Sequence, residues 1–309
     1  MSFDVVVVGS LNYDMLIQQD RLPRLGETFT GNGMMMMPGG KGANQAVQCA
    51  KLGLTVNMIG CVGQDIYGRE LIQSLESHRV SIENIKKCGT SGIGIVQIMK
   101  SGDYCSTILR GANYHITPSD IKDEFFTRSP LVILQSEIPE SVVETVIRKA
   151  KKQGCKVLLN NAPARYIPDE LLQCVDVLVI NETEASLMLD IEVADVDSAL
   201  EAADLLHARI DAMVVITLGE KGSVVRCDAE SRHFPAVPCP TVVDTTGAGD
   251  SFIGGLAYCM VKGIDIVDAL PFAAAISAKS IQKYGGQSSF PALDEISPAL
   301  VSQRVGIPR

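Results

Sequence analysis

Leu131-Val132-Ile133-Leu134-Gln135-Ser136-Glu137 is followed by a helical stretch from about Ser141 to Gln153, and then by Lys156-Val157-Leu158-Leu159-Asn160-Asn161. A short apolar run, a polar turn, an amphipathic helix and a second apolar run make a strand–helix–strand unit. Runs this short and this uniformly apolar suit strands covered on both faces. The same rhythm extends in both directions. Val5–Val8 precedes Gly9-Ser10-Leu11-Asn12. Val56–Ile59 precedes Gly60-Cys61-Val62-Gly63 and a helical stretch over Ile66–Ser77. Val177–Ile180 precedes Asn181-Glu182-Thr183-Glu184, and Met213–Thr217 precedes Leu218-Gly219. Strands alternating with helices predict an α/β fold with a largely parallel sheet. Helices are expected at about Asp265–Lys283 and Ala292–Gln303 near the end of the sequence.

Residues 12–38 and 92–110 break the rhythm. The first contains Leu16-Ile17, Phe29 and the run Met34-Met35-Met36-Met37; the second contains Gly92 to Met99 and then Thr107-Ile108-Leu109. Neither has a helical period. Both read as antiparallel strands forming a small β-lid over the carboxyl edge of the main sheet, within one domain spanning 1–309. The methionines read as adaptable apolar filling of the lid or of a dimer face.

The formal net charge of −9 and the absence of tryptophan argue against nucleic acid as a partner. The start of the sequence lacks the basic region and long apolar stretch of a secretory signal, and no apolar run reaches membrane-spanning length. The nine cysteines are scattered without a C-x-x-C pair, which suits reduced thiols in the cytoplasm rather than disulfides or zinc. His78, His115, His207 and His233 have no metal spacing.

In open α/β sheets, ligands bind beyond the carboxyl ends of the strands. The residues there are Asn12 and Asp14, Glu137, Asn160 and Asn161, Asn181 and Glu184, Thr217 and Gly219, and Asp244. Such residues also favour turns and helix caps, so single members carry little weight; a ring of them suits a ligand rich in hydroxyls and a hydrated metal. Two stretches are sharper. In Val242-Val243-Asp244-Thr245-Thr246-Gly247-Ala248-Gly249-Asp250, an apolar run ends in an acid, and a small-residue turn leads to a second acid at a helix start. Helix-start amides favour an anion, so this places a base beside a phosphate. In Pro38-Gly39-Gly40-Lys41-Gly42-Ala43-Asn44-Gln45, glycines open a helix over Ala43–Leu52, and Asn44 is a poor helix former better suited to a site. This is not a Walker A loop. Gly89-Thr90-Ser91-Gly92-Ile93-Gly94 leads into a strand and has the wrong spacing for a dinucleotide fingerprint, which excludes a nucleotide-dependent dehydrogenase.

Together Gly39–Gln45 and Asp244–Asp250 resemble the two signatures of the ribokinase-like (PfkB) sugar kinases, and the resemblance, strongest to the ribokinase branch, covers essentially the whole chain. It implies a three-layer α/β/α fold with a central mostly parallel sheet and a β-sheet lid that often forms a homodimer interface. It implies transfer of the γ-phosphate of ATP to the primary hydroxyl of a pentose, D-ribose giving D-ribose 5-phosphate. Asp250 then matches the base, and Gly247, Ala248 and Gly249 with the amide of Asp250 match the anion hole. Asn12, Asp14, Gly40, Lys41, Asn44 and Glu137 match sugar-binding positions. Asn181, Thr217, Gly219, Glu220, Gly222 and Gly249 match nucleotide-binding positions, and Glu184 matches a position that holds Mg2+ through water. Asp244, Thr246, Ser280, Lys283, Gly285 and Ser289 match the loops that hold a monovalent cation, usually K+, several through backbone carbonyls.

The sequence departs from that pattern at Tyr13, where a small residue is common and where an aromatic ring either crowds the pocket or faces the lid exterior. Asn161 replaces a proline, and Ala274 stands where a polar residue near adenine is expected. Arg21, Arg24 and Arg110 add positive charge on or near the lid, open to an acidic or phosphorylated sugar or to simple solvation. Deoxyribose, a nucleoside such as pseudouridine, a keto sugar acid, or a sugar-binding sensor without catalysis remain as alternatives.

Overall fold

The computed structural model describes residues 2–101, 104–228 and 230–296. In chain order the elements begin with β1 (Val5–Val8), β2 (Asn12–Gln19), β3 (Gly33–Gly39), α1 (Lys41–Lys51), β4 (Val56–Val62), α2 (Ile66–Ser77), β5 (Ser81–Lys87), β6 (Gly92–Met99) and β7 (Tyr104–Leu109). There follow β8 (Leu131–Gln135), α3 (Glu140–Lys152), β9 (Lys156–Asn160), α4 (Asp169–Leu172), β10 (Val177–Asn181), α5 (Glu182–Leu189) and α6 (Val196–Ile210). The last are β11 (Met213–Thr217), β12 (Ser223–Arg226), β13 (Ser231–Phe234), α7 (Ala248–Val261) and α8 (Ile266–Ser280).

The central sheet has the order β13-β12-β11-β10-β9-β8-β1-β4-β5. It is parallel from β11 through β5, and antiparallel where β12 and β13 are added at one edge. Successive side chains of a strand point to opposite faces, and β1 shows the consequence. Val5 and Val7 join a core with α1, α2, α7 and α8, while Val6 and Val8 join a second core with α3, α4, α5 and α6. The expected three-layer α/β/α architecture is present. The chain leaves β1 toward β4 on one side while β8 lies on the other, so the strand order reverses there and opens a crevice.

The second sheet is the lid, in the order β3-β2-β6-β7. The expected antiparallel arrangement needs correcting: β2 pairs with β3 antiparallel but with β6 parallel, Asn12 opposite Gly92 through Gln19 opposite Met99. Residues 12–39 form a hairpin, and the second hairpin docks on it in the same sense because both start from the sheet's carboxyl edge. Asp14, Leu16 and Gln18 face the crevice with Met35, Val96 and Ile108. Tyr13, Met15 and Ile17 face the other way.

At its base the outer lid face is covered. Tyr13 is buried, packs on Tyr67 of α2 with ring centroids 4.8 Å apart, and its hydroxyl donates a short hydrogen bond to Glu70. Burial and the Glu70 carboxylate push the Tyr13 phenol up to about 12, so it keeps its proton and stays a donor. Tyr13 therefore neither crowds the crevice nor meets solvent. Farther out the face is more open: Met34 is 60% and Met36 37% exposed.

Other boundaries moved slightly. α1 starts at Lys41, two residues before the expected helix, and α8 spans Ile266–Ser280 rather than reaching Lys283. Val242-Val243 forms no strand; Val243 N and Asp244 N both donate to Ile281 O, at 2.8 and 3.2 Å. Of the expected helix over Ala292–Gln303, the described part holds only a single 3-10 turn, Leu293–Glu295, and the rest lies outside the described residues. Among the described residues no helix is long and apolar enough to cross a membrane.

Candidate active site

A cavity of about 640 Å³ lies between the lid and the carboxyl edge of the central sheet. Its wall includes Asn12, Asp14, Gly40, Lys41, Asn44, Glu137, Asp244, Thr246, Gly247 and Asp250, so both glycine-rich stretches meet there as expected. Gly40 caps α1 at φ 88°, and a Cβ on it would sit 2.5 Å from Asn12 N; only glycine lets the helix start against β2.

At the deep end sits Asp250, in the first turn of α7 and 8% exposed. Asn44 Nδ2 donates to its Oδ2 at 2.9 Å and Gln45 Nε2 to its Oδ1 at 2.9 Å. Both amides are oriented in turn. Gln287 Nε2 donates to Asn44 Oδ1 at 3.1 Å, and Ser74 Oγ donates to Gln287 Oε1 at 2.7 Å. On the other side Gln135 Nε2 donates to Gln45 Oε1 at 2.6 Å. Ala248 N donates to Thr245 O at 3.1 Å, and the amides of Gly249 and Asp250 follow it at the helix start. Gly249 faces open space.

The opposite wall carries two more carboxylates. Glu137 Oε2 accepts Lys41 N at 3.2 Å, Asn12 Nδ2 at 3.4 Å and a short bond from Ser10 Oγ. Asn12 Oδ1 accepts Asn113 Nδ2 at 2.7 Å. Asp14 lies flat on the lid between two glycines: a Cβ on Gly39 would be 1.9 Å from its Oδ2, and one on Gly94 2.3 Å from its Oδ1. Burial raises the Asp14 carboxyl to about 7, with Glu137 and Asp250 adding to the rise and Lys41 opposing it. Arg21 pairs with Glu27 on the surface and Arg110 stacks on Tyr114; neither they nor Arg24 line the cavity.

Asp244 holds two loops together, Oδ1 accepting Thr246 N and Oδ2 accepting Gly285 N, each at 2.9 Å. Ser280 Oγ donates to Ser277 O, Ser289 Oγ to Gly286 O, and Lys283 Nζ pairs with Glu295, so these side chains are engaged away from the cavity. Asn181 and Thr217 stand opposite each other in register at the ends of β10 and β11, apart from the cavity wall. Asn181 and Glu184 form a reciprocal cap on α5, with Glu184 N to Asn181 Oδ1 at 2.8 Å and Asn181 N to Glu184 Oε2 at 2.9 Å. Burial raises the Glu184 carboxyl, while the Asn181 amide and Lys41 pull it down. Gly219, Glu220 and Gly222 form the turn after β11, also off the wall.

Sequence reasoning missed Ser10, Gln135, Asn113 and Gln287, and gave Gln45 no role. Only Gln45 carried a signal, as a second amide beside Asn44 in the same helix start.

A deep carboxylate beside helix-start amides, under a lid, is an arrangement that suits phosphoryl transfer to a hydroxyl. Residues 2–293 match the pfkB family carbohydrate kinase. The chain is 36% identical over 295 residues to the ribokinase of Haemophilus influenzae, covering 94% of this chain and 96% of that protein. It is 34% identical over 302 residues to the deoxyribokinase of Salmonella typhi, covering 96% and 98%. The structure of Arabidopsis thaliana ribokinase complexed with ribose and ATP superposes with a TM-score of 0.86 at 32% identity, covering 94% and 96%. The chain belongs to the pfkB family of carbohydrate kinases. It is an ATP-dependent sugar kinase of the ribokinase type.

The Asp14 environment sets a pH dependence of stability. The folded chain keeps the Asp14 proton up to about pH 7, whereas an unfolded aspartate releases it near 3.9. Between these values the folded form binds more protons, so stability falls as pH rises. Asp14→Asn should raise the stability of the ligand-free protein at pH 8 by on the order of 1–3 kcal/mol and flatten its fall between pH 4 and 7. Denaturant melts across that range check it; an unchanged pH profile contradicts it.

Proposed function

We propose that this kinase phosphorylates the primary hydroxyl of a pentose, D-ribose giving D-ribose 5-phosphate, with Asp250 as the base. The observation that carries the reading is the Asp250 carboxylate, buried at the cavity floor with both oxygens on amide donors and adjoining the start of α7. The hydroxyl proton passes to Asp250 as the hydroxyl oxygen bonds to the γ-phosphorus. The bond from phosphorus to the bridging oxygen breaks, and ADP leaves. The amides of Gly249 and Asp250 receive charge on the phosphoryl oxygens. Transfer of this kind needs positioning and charge neutralisation more than covalent help, and closing the lid excludes competing water.

Asn12, Asp14, Gly40, Lys41, Asn44 and Glu137 hold the sugar, hydroxyls donating to the carboxylates and accepting from Lys41 and the amides. Asn12, beside Asn113 and Glu137, gives the polar floor that a pentose with a 2-hydroxyl needs. The nucleotide lies along Asn181, Thr217, Gly219, Glu220 and Gly222, where the ends of β10 and β11 meet. Mg2+ would neutralise phosphate charge there; Glu184 fits a water-mediated ligand, since its cap bond leaves a second carboxylate oxygen. For K+ the donor set also fits. The side chains of Asp244, Ser280, Lys283 and Ser289 are engaged elsewhere, so the loops including Thr246 and Gly285 would offer backbone carbonyls, ligands suited to that ion. The exposed Met34 and Met36 of the outer lid face fit a second copy of this chain.

A second reading keeps the chemistry and changes the acceptor to a nucleoside. It is favoured by the apolar roof of Leu16, Met35, Val96, Ile98 and Ile108.

ADP release measured over pentoses, deoxyribose, hexoses, nucleosides and sugar acids should give the highest kcat/KM with D-ribose; a nucleoside in first place supports the second reading. Asp250→Asn should lower kcat by ~10²–10⁴ while sugar still binds, and near-normal turnover removes the base assignment. Exchanging K+ for tetramethylammonium at constant ionic strength should lower kcat; an indifferent enzyme removes the cation. Light scattering should give a dimer mass that Met36→Lys shifts toward the monomer, and a monomeric parent protein ends that assignment.

A further inference from the structure

The donors around Asp250 form a directed chain that reaches beyond the residues assigned to sugar or nucleotide. A carboxylate only accepts hydrogen bonds. Asn44 must therefore turn its Nδ2 toward Asp250, which leaves its Oδ1 facing Gln287. Gln287 must then turn its Nε2 toward Asn44, leaving Oε1 toward Ser74, whose hydroxyl donates. The observed bonds run in that sense, at 2.9, 3.1 and 2.7 Å. Asn44 and Gln287 are 5% and 4% exposed, so water does not compete freely for either amide.

Gln287 is itself fixed. Lys51 Nζ donates at 2.8 Å to Gln287 O and at 2.8 Å to Phe290 O, Gln48 Nε2 donates at 2.9 Å to Pro291 O, and Asp244 holds Gly285 N. Four backbone positions of one loop are thus tied down to present a single side-chain amide to Asn44.

We propose that Gln287 is a positioning residue for the phosphoryl-transfer step: it fixes the orientation of the Asn44 amide and, through it, the Asp250 carboxylate. The inference rests on the reading of Asp250 as the base. Gln287 touches neither sugar nor nucleotide in this role. Its effect falls on kcat, because the Asn44 donor holds Oδ2 in the direction from which it takes the proton, and a misdirected carboxylate still leaves the remaining sugar contacts in place.

Gln287→Glu is close to isosteric and reverses the chain. A carboxylate at 287 accepts from Ser74 and also from Asn44, whose amide then turns its Oδ1 toward Asp250 and sets two acceptors face to face. Gln287→Met removes the donor without reversing anything. In steady-state assays on D-ribose or the best acceptor of the panel, Gln287→Glu should lower kcat by about tenfold to a hundredfold and Gln287→Met by less, with the KM for ATP within about twofold. In an Asn44→Ala background the same Gln287→Glu change should alter kcat by about twofold or less, since the intermediary is gone. A loss of equal size in both backgrounds, or no loss in the first, overturns the proposal. Gln287→Met carries the same comparison if Gln287→Glu does not fold. Asp250→Asn, assayed alongside, separates the two readings. If it stays active, the base assignment fails; if it is inactive while Gln287→Glu is unimpaired, only the positioning role fails.

Discussion

The carboxylate of Asp250, placed where α7 meets α1, is the constraint around which the rest of the site is organised. A buried carboxylate without partners is costly. The two oxygens of Asp250 are satisfied by adjacent residues of α1, Asn44 and Gln45. Consecutive helical residues diverge by about 100°, so reaching both oxygens of one carboxylate fixes α1 in rotation as well as distance. The helices must also lie close. Gly254 provides this: a Cβ there would fall 2.6 Å from Gln48 Cβ. The small residues of α7 serve the packing that brings Asp250 to its amides.

Across the cavity the electrostatics are deliberately unfavourable without a ligand. Asp14 is half-buried near Glu137 and Asp250, with Lys41 opposing, and Gly39 and Gly94 are cut back to make room for it. Nothing in core packing requires a carboxylate between two glycines. On the proposed reading, sugar hydroxyls would give the Asp14 and Glu137 oxygens hydrogen-bond partners. A charged group held at a cost to stability is a common balance between activity and stability.

Much of this was readable beforehand where chemistry is local. Runs such as Val5–Val8 and Leu131–Leu134 read as covered strands because both faces of the central sheet are buried. Asn44 stood out because asparagine is a poor choice inside a helix. The parallel pairing of β2 with β6 was not readable: some 80 residues separate the partners, and alternation does not encode the sense of pairing. The edge strand β13 and its neighbour β12 carry polar residues such as Ser223, Arg232 and His233, which blur the apolar pattern. Gln287 was invisible because an amide's role depends on what faces it, and its partners Ser74 and Asn44 lie 213 and 243 positions away. A cation at the Asp244 and Gly285 loops is proposed on family resemblance, since the side chains there are spent on holding the loops.

One helix joins these parts. Through its N-cap Asp65, α2 accepts from Ser91 N and Ser91 Oγ, each at 2.7 Å, next to the start of β6. Glu70 takes the Tyr13 hydroxyl of β2, and Ser74, one turn further on the same face, begins the chain to Asn44 and Asp250. A helix is stiff over this length, so the base of the lid and the Asp250 carboxylate share a single brace. Hinging the lid at its base would break the Asp65 and Glu70 contacts together, and Tyr13, which keeps its proton through the neutral range, does not release its contact on a change of pH. Among the described residues, the outer parts of the strands beyond Leu16 and Val96 show no such hydrogen bond to α2. The contacts that join the lid to α2 are therefore concentrated at its base, next to Asn12, Asp14 and Asp250, and the proposed sugar and phosphoryl-transfer groups share that brace.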